Sequence, residues 1–361
     1  MNITKIFSLE DFKDSIPFTA LGARTCYSSG DLNYLLNDPR VVSKEERAKF
    51  LSKLGNYKHF SVFAHSFAYK NLLTLEEEML DKIIGEELKN LPKQQKAQIS
   101  AIKIGATRFK SHYNPKYPTV IGISLRHYLE ELLEENEEEY FKSFEKIANY
   151  DIPVEPLGYK DDVWLIGLKN EYDGYAVFYI DNVSRTMTHQ LVRHTTLNFS
   201  QRSQRYVKED ENLFIMPPSI NKAICRLENK KIKENFVSII KKFLSYVRKS
   251  DAKEALIKKV EKRVNDFINE EENLNNLEQL FKFTDQLCEI VYDYAVYSCK
   301  VKREDARFIL PHGRKTTIVV SGTLNWIKDF ILKRTDPHAQ WEIQKVANAM
   351  KYLLEQQGVK V

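Results

Sequence analysis

The clearest element signals in this chain are changes in hydrophobic period. Ala176-Val177-Phe178-Tyr179-Ile180 is an unbroken apolar and aromatic run and predicts a strand. Thr316-Thr317-Ile318-Val319-Val320 predicts another, and Asn2 to Ser8 a short one. Helical spacing dominates elsewhere. A helix is expected from about Ser43 to Leu54, stopped by Gly55. Thr74-Leu75-Glu76-Glu77 reads as a capping box opening a helix that ends near Pro92. A second helix follows over Lys93 to Ser111, and Ser124 can cap a third, with acidic Glu130 to Glu139 as its exposed continuation. Beyond Pro217-Pro218, long amphipathic helices are expected over Ser219 to Ser250, Asp251 to Ile268 and Leu277 to Tyr297, their apolar stripes serving core and subunit contacts. Gly322 turns into a helix over Leu324 to Lys333, which Arg334 ends. Asp336-Pro337 then opens the last helix as N-cap and first residue, placing Arg334 just before a helix N-terminus.

One short helix matters most. Ser184 can cap it. Met187 and Leu191 share a face one turn apart and should point to the core, while Gln190, Arg193 and His194 share another face. The polar triplet therefore leaves the C-terminal end of a packed helix, a rigid mount for binding groups.

Composition narrows the class. A chain of 361 residues with 43% hydrophobic residues, 12 Gly and 11 Pro is packed and globular, with room for two domains. Its 55 Lys and Arg against 50 Asp and Glu leave a net charge of +5. That excess is too mild to argue for nucleic acid and suits a small phosphorylated substrate equally well. Cys26, Cys225, Cys288 and Cys299 form no CxxC pair and have no metal-ligand spacing with histidine, so they read as reduced thiols and no metal site is expected. Met1 to Phe18 holds Glu10, Asp11 and Asp14 and no long apolar run. With no membrane-length window either, the expectation is a cytoplasmic protein without a membrane partner.

Chemistry concentrates in Arg193-His194-Thr195-Thr196-Leu197-Asn198-Phe199-Ser200-Gln201-Arg202-Ser203-Gln204-Arg205-Tyr206. The run is crowded with hydrogen-bonding side chains and contains no acid. It reads either as a basic solvated loop or as a site for an anionic, hydrogen-bond-rich ligand. Its order resembles the signature of the flavin-dependent thymidylate synthases, the ThyX family: Arg-His-Arg, a spacer, Ser, then Arg-Tyr. Arg193, His194, Ser203, Arg205 and Tyr206 fall in register, and Thr188-His189-Gln190-Leu191-Val192 matches upstream. Leu21 to Tyr27, His59 to His65, and Ala306 to Ile343 with its His338-Ala339-Gln340-Trp341-Glu342-Ile343 run, are similar too. Thr195 departs from the pattern by standing where the second signature arginine is expected. Asn198 replaces a usual serine, and Phe60 and Ala64 replace usual glutamates.

The resemblance implies an α/β (α+β) fold of ThyX type, a mixed sheet packed with long helices. Residues 1–70 and 173–361 would form the core and 71–172 a separable, mostly helical insertion. It implies reductive methylation of dUMP to dTMP with FAD, NADPH and methylenetetrahydrofolate, in a homotetramer. Gln190, Arg193, Ser203, Arg205 and Arg307 would hold dUMP. Arg334 would act catalytically by stabilising the ionised uracil N3. FAD would meet Ser61, Arg193, His194, Thr195, Gln201, Thr323, Leu324, Asn325 and Asp329. No GxGxxG fingerprint follows a strand, so a Rossmann site is not expected. Two alternatives keep the fold: methylation of another uridine nucleotide, or a non-catalytic paralogue that binds nucleotide or RNA.

Overall fold

The computed structural model describes residues 3–107, 111–150, 153–207, 214–221, 230–250, 252, 254–269 and 276–361. The chain divides into two compact units. The first comprises Met1–Asp181, Met187–Arg202 and Thr317–Val361; the second comprises Asn182–Thr186 and Ser203–Thr316.

Helices and two sheets make up the described fold. The strands are β1 (Phe67–Asn71), β2 (Ser111–Tyr113), β3 (Val120–Ser124), β4 (Gly158–Lys160), β5 (Val163–Lys169), β6 (Tyr175–Ser184), β7 (Asn198–Gln201) and β8 (Lys315–Thr323). One sheet has the order β1-β3-β2 with antiparallel pairs, Phe67 opposite Ser124 and Ser111 opposite Ile123. The other runs β4-β5-β6-β8-β7; β5 pairs antiparallel with β6, and β7 with β8. Residues 175–180 of β6 and 316–323 of β8 are all buried. Burial on both faces explains why these strands read as continuous apolar runs.

Two apolar clusters of the first unit bear on the site. In one, Ile3, Ile6, Phe7, Phe12 and Phe63 pack with Leu72, Leu80, Ile104, Ile121, Tyr140 and Phe144. In the other, Leu21, Leu35 and Phe67 pack with Ile166, Tyr175, Val177, Tyr179 and Val319. Residues 71–172 thus share both clusters with the flanking sequence, and they contain β2 to β5 as well as helices.

Several expected boundaries hold because they rest on local hydrogen bonds. Ser43 accepts from the Glu46 amide and Ser124 from the His127 amide, each capping its helix. Others move. The strand expected over Asn2 to Ser8 is not formed by its described residues; Ile3–Ile6 is a helical turn, and Ile3, Ile6 and Phe7 recur at helical spacing to bury together. Thr74 donates to the Asn71 carbonyl instead of capping, and the next helix is Glu77–Ile84, ended at Gly85 with φ +97°. The Lys93 helix is described over Lys93–Thr107, and Ser111, its expected end, belongs to strand β2. Asn136 breaks the acidic helix and caps its successor, Glu137–Lys146. The last helix begins at Trp341, since Gln340 accepts from the amides of Glu342 and Ile343. Asp336 instead accepts from the His338 amide in a separate turn.

The second unit holds helices Lys230–Lys249, Glu254–Asn269 and Leu277–Asp293. Ile240, Leu244, Val260, Val264, Phe283 and Ile290 form their core, with Phe267 and Phe283 stacked at 3.9 Å. The expected helix over 219–250 crosses 222–229, and that part, with Cys225, lies outside the described residues. Among the described residues no helix is long and apolar enough to cross a membrane.

Gly174 sits at the entrance to β6 with φ +69°. A side chain there would lie 2.3 Å from Leu324 Cδ1 and 2.6 Å from the Lys169 carbonyl oxygen. Gly174→Ala is expected to cost about 2–4 kcal/mol from left-handed strain plus overpacking, measured as a lower denaturant midpoint.

Candidate functional site

In the first unit, the site is built around a buried polar cluster beneath the signature segment. His65 is fully buried at the end of the turn Phe60–His65. Its Nδ1 lies 2.8 Å from the Ser321 hydroxyl on β8, and its Nε2 lies 2.8 Å from the Ser200 hydroxyl on β7. The Tyr175 hydroxyl is 2.7 Å from Ser321 and donates to the Ala64 carbonyl at 2.8 Å. The Asn198 amide donates to that same carbonyl at 3.2 Å. Cys26 also meets Ser200; burial pushes its thiol up to about 11, so it stays protonated and no nucleophile is formed there. A close approach seats the imidazole: a side chain on Gly22 would lie 2.6 Å from His65 Cδ2.

From β7 and its preceding turn the signature residues emerge. The helix Arg185–Leu191 buries Met187 and Leu191, as their spacing predicts, and leaves Gln190 half-buried. Arg193 and Thr195 are exposed on the turn that follows. That turn lies along the helix Leu324–Arg334. At one end, Leu197 Cα is 3.8 Å from where a Gly322 side chain would start. At the other, His194 stands edge-on to Phe330, with ring centroids 5.0 Å apart, and its Nε2 accepts from Arg334 Nε at 3.0 Å. Burial first, then the charges of Arg334, Lys333 and Arg193, hold His194 below its ordinary pKa, against an opposing effect of Asp329.

Arg334 is the last residue of Leu324–Arg334, and the next helix begins at Trp341. Its expected place before a helix N-terminus is therefore corrected. The charge lies at a helix C-terminus, where the unpaired carbonyls favour a cation.

The remaining flavin-assigned residues divide. Thr323 is the N-cap of Leu324–Arg334, yet makes no side-chain cap bond. Its hydroxyl is buried without a partner among the described residues. Leu324 is buried and gives its amide to the Gly174 carbonyl, so its side chain belongs to the core. Asn325 is exposed, and Asp329 pairs with Lys333 at 2.7 Å. Gln201 donates to the Thr188 hydroxyl at 3.0 Å, and Ser61 is exposed on the turn that His65 anchors.

In the second unit, Arg205 and Arg307 meet at Glu304. Arg205 Nε is 2.5 Å from the Glu304 carboxylate, and Arg307 Nε donates to the Glu304 carbonyl at 3.1 Å. Ser203 accepts from the Arg205 amide at 3.2 Å. Glu304 partly neutralises Arg205, a partner that motif spacing did not indicate. Sequence reasoning also gave His65, Tyr175 and Ser321 no role. A histidine within the apolar Val62 to Phe67 stretch was the available signal for the first of them.

Residues 174–357 match the family described as thymidylate synthase complementing protein, Thy1. The chain belongs to that family. Thy1 similarity thus begins at the Gly174 turn and takes in β6, the signature segment, the second unit and Arg334, while Ser61 and His65 lie upstream of it. The flavin-dependent thymidylate synthase of Mycobacteroides abscessus is 29% identical over 174 residues, 48% of this chain and 55% of that protein. That of Pyrococcus furiosus is 29% identical over 213 residues, covering 57% of this chain and 64% of its own. The chain therefore spans little more than half the length of the curated relatives it matches. A ThyX structure from Helicobacter pylori, complexed with FAD and dUMP, is 16% identical, with a TM-score of 0.29 over 51% of this chain and 69% of that one.

Tyr175→Phe tests the buried cluster. Removing its hydroxyl leaves Ser321, Asn198 and Ala64 short of a partner in a dry interior. The expected cost is about 1–3 kcal/mol, read from thermal or denaturant melting.

Proposed function

We propose that this Thy1 protein is a flavin-dependent thymidylate synthase that converts dUMP to dTMP. Methylenetetrahydrofolate would give the carbon, NADPH would be the reductant, and the working assembly would be a homotetramer. The observation that carries this reading is the Arg334–His194 bond. It joins the residue assigned to the pyrimidine with one assigned to the flavin, inside the segment that matches the family.

The donor chemistry fits a phosphate-bearing flavin. Thr323 keeps an unpartnered buried hydroxyl among the described residues at a helix start, where backbone amides lack intrahelical acceptors. Arg193, Thr195 and Asn325 are exposed, and the nearby acid, Asp329, is occupied by Lys333. Arg193, His194, Thr195, Gln201, Thr323 and Asn325, with Ser61, would hold FAD, and bound FAD would supply the two electrons that turn a methylene into a methyl group. Leu324 would serve through the position of its backbone alone.

The chain's own residues have binding and electrostatic tasks. Gln190, Arg193, Ser203, Arg205 and Arg307 would hold dUMP. Arg334 places a fixed positive charge where the uracil ring gains negative charge on losing its N3 proton. Cys26 and Ser203 take no nucleophilic part: the first is half-buried and keeps its proton, and the second accepts a backbone bond.

The direct test is tritium release from dUMP labelled at C5, with methylenetetrahydrofolate, FAD and NADPH present. Release that requires all three supports the reading, and none with flavin bound overturns it. In that assay Arg334→Ala should lose about 2–4 kcal/mol of transition-state stabilisation while its melting temperature stays close to the parent's.

Thr195 supplies one hydroxyl where the family pattern supplies a guanidinium. It is exposed, so a longer side chain has room. Thr195→Arg is expected to tighten FAD binding about tenfold, the value of one charged hydrogen bond. A flavin fluorescence titration of both forms measures this, and equal affinities would mean that another group already fills the role.

A further inference from the structure

Arg334 makes one bond that contact with a nucleotide does not require. Its Nε donates to His194 Nε2 at 3.0 Å, and among the described residues nothing else hydrogen-bonds that guanidinium. A guanidinium has five N–H donors in one plane. With Nε engaged, the two terminal nitrogens remain as a parallel pair. The imidazole is itself held firmly. Phe330 packs edge-on at 5.0 Å, and the His194 amide donates to the Leu191 carbonyl at 3.0 Å. Phe330 and Arg334 are four residues apart on one helix, so a single helical face both seats the ring and receives its acceptor atom.

We propose that His194 is a positioning residue for Arg334: by accepting the Nε–H, it turns the terminal guanidinium nitrogens outward as a two-pronged donor for a carbonyl oxygen and the adjacent ionised nitrogen of a pyrimidine ring. The proposal rests on the thymidylate synthase reading and adds a link from the signature turn to the pyrimidine.

The bond exists in one protonation state only. Nε2 must be bare, so the ring proton sits on Nδ1. The charged groups facing the ring are Arg334, Lys333 and Asp329 from the helix and Arg193 from its own turn. Burial and the three cations keep the ring neutral to lower pH than an ordinary histidine. Once protonated, Nε2 becomes a donor facing a donor, and the contact is lost. Positioning is thus present above the pKa of His194 and lost as pH falls through it, below the ordinary value of about 6.5.

The experiment is dUMP titration by calorimetry at saturating FAD, with parent, Arg334→Ala, His194→Leu, His194→Gln and the Arg334→Ala/His194→Leu double variant. Thermal melts identify any variant that does not fold. His194→Gln keeps an acceptor near Nε2 and should stay within about threefold of the parent at about pH 8. His194→Leu should bind about tenfold more weakly. The double variant should be no weaker than Arg334→Ala alone, because both changes remove the same interaction. On acidification the parent should lose affinity more steeply than His194→Gln, since protonation of the dUMP phosphate affects both alike. Additive losses in the double variant, or identical acid limbs in parent and His194→Gln, would overturn the positioning role. If the parent binds dUMP and Arg334→Ala weakens it while His194→Leu does not, the positioning role alone fails. If the parent neither binds dUMP nor releases tritium, the functional reading fails first.

Discussion

One buried imidazole holds the first unit's site region together. His65 ties the Phe60–His65 turn to β7 through Ser200 and to β8 through Ser321, and Tyr175 brings β6 to the same point. A neutral imidazole offers one donor and one acceptor, so it can bridge two hydroxyls without burying a charge. Such a bridge is directional where apolar packing is not. It sets the relative height of β7 and β8, and so of Gln201 at the end of one and Thr323 at the end of the other.

The assigned residues differ in how far the protein satisfies them. Arg314, deep in the second unit, is matched by Asp285 at 2.6 Å and Glu289 at 3.4 Å. Breaking such a buried pair strands a charge, which makes its role structural. Arg334 is bonded only at Nε among the described residues, and Arg205 is exposed with one acid beside it. Incomplete satisfaction at a half-buried or exposed cation is what a ligand-binding role requires. The unpartnered Thr323 hydroxyl fits the same pattern, because a buried polar atom without a partner is costly unless something occupies it.

Residues 71–172 extend the apolar clusters of the flanking chain. Leu72, Ile121 and Phe144 pack with Ile3, Phe12 and Phe63. Asp173, at the end of this stretch, is gripped by His112 and Asn114, and the Tyr69 hydroxyl donates to the Gly174 carbonyl at 2.8 Å. That carbonyl also accepts the Leu324 amide. The segment, with Tyr69 just before it, thereby braces the turn from which β6 departs and against which Leu324–Arg334 begins.

Legibility followed the range of the interaction. Ser124 could be read as a cap because a cap is completed three residues away. The burial of Met187 and Leu191, and the strand character of 176–180, follow from period alone. Asp336-Pro337 misled because the same Asp can close a lone turn, and the choice of Gln340 as cap depends on where Trp341 packs. The identity of the donor-rich residues stood in the sequence, and so did their family resemblance. Their partners did not, because His194 meets Arg334 across 140 positions and His65 meets Ser321 across 256. By itself the sequence determined the long helices, the buried strands around 176–180 and 316–320 and where the donors lie, since period is local. Only the tertiary structure decided which donors face one another, because strand order brings His65 to Ser321 and the packing of a turn on a helix brings His194 to Arg334.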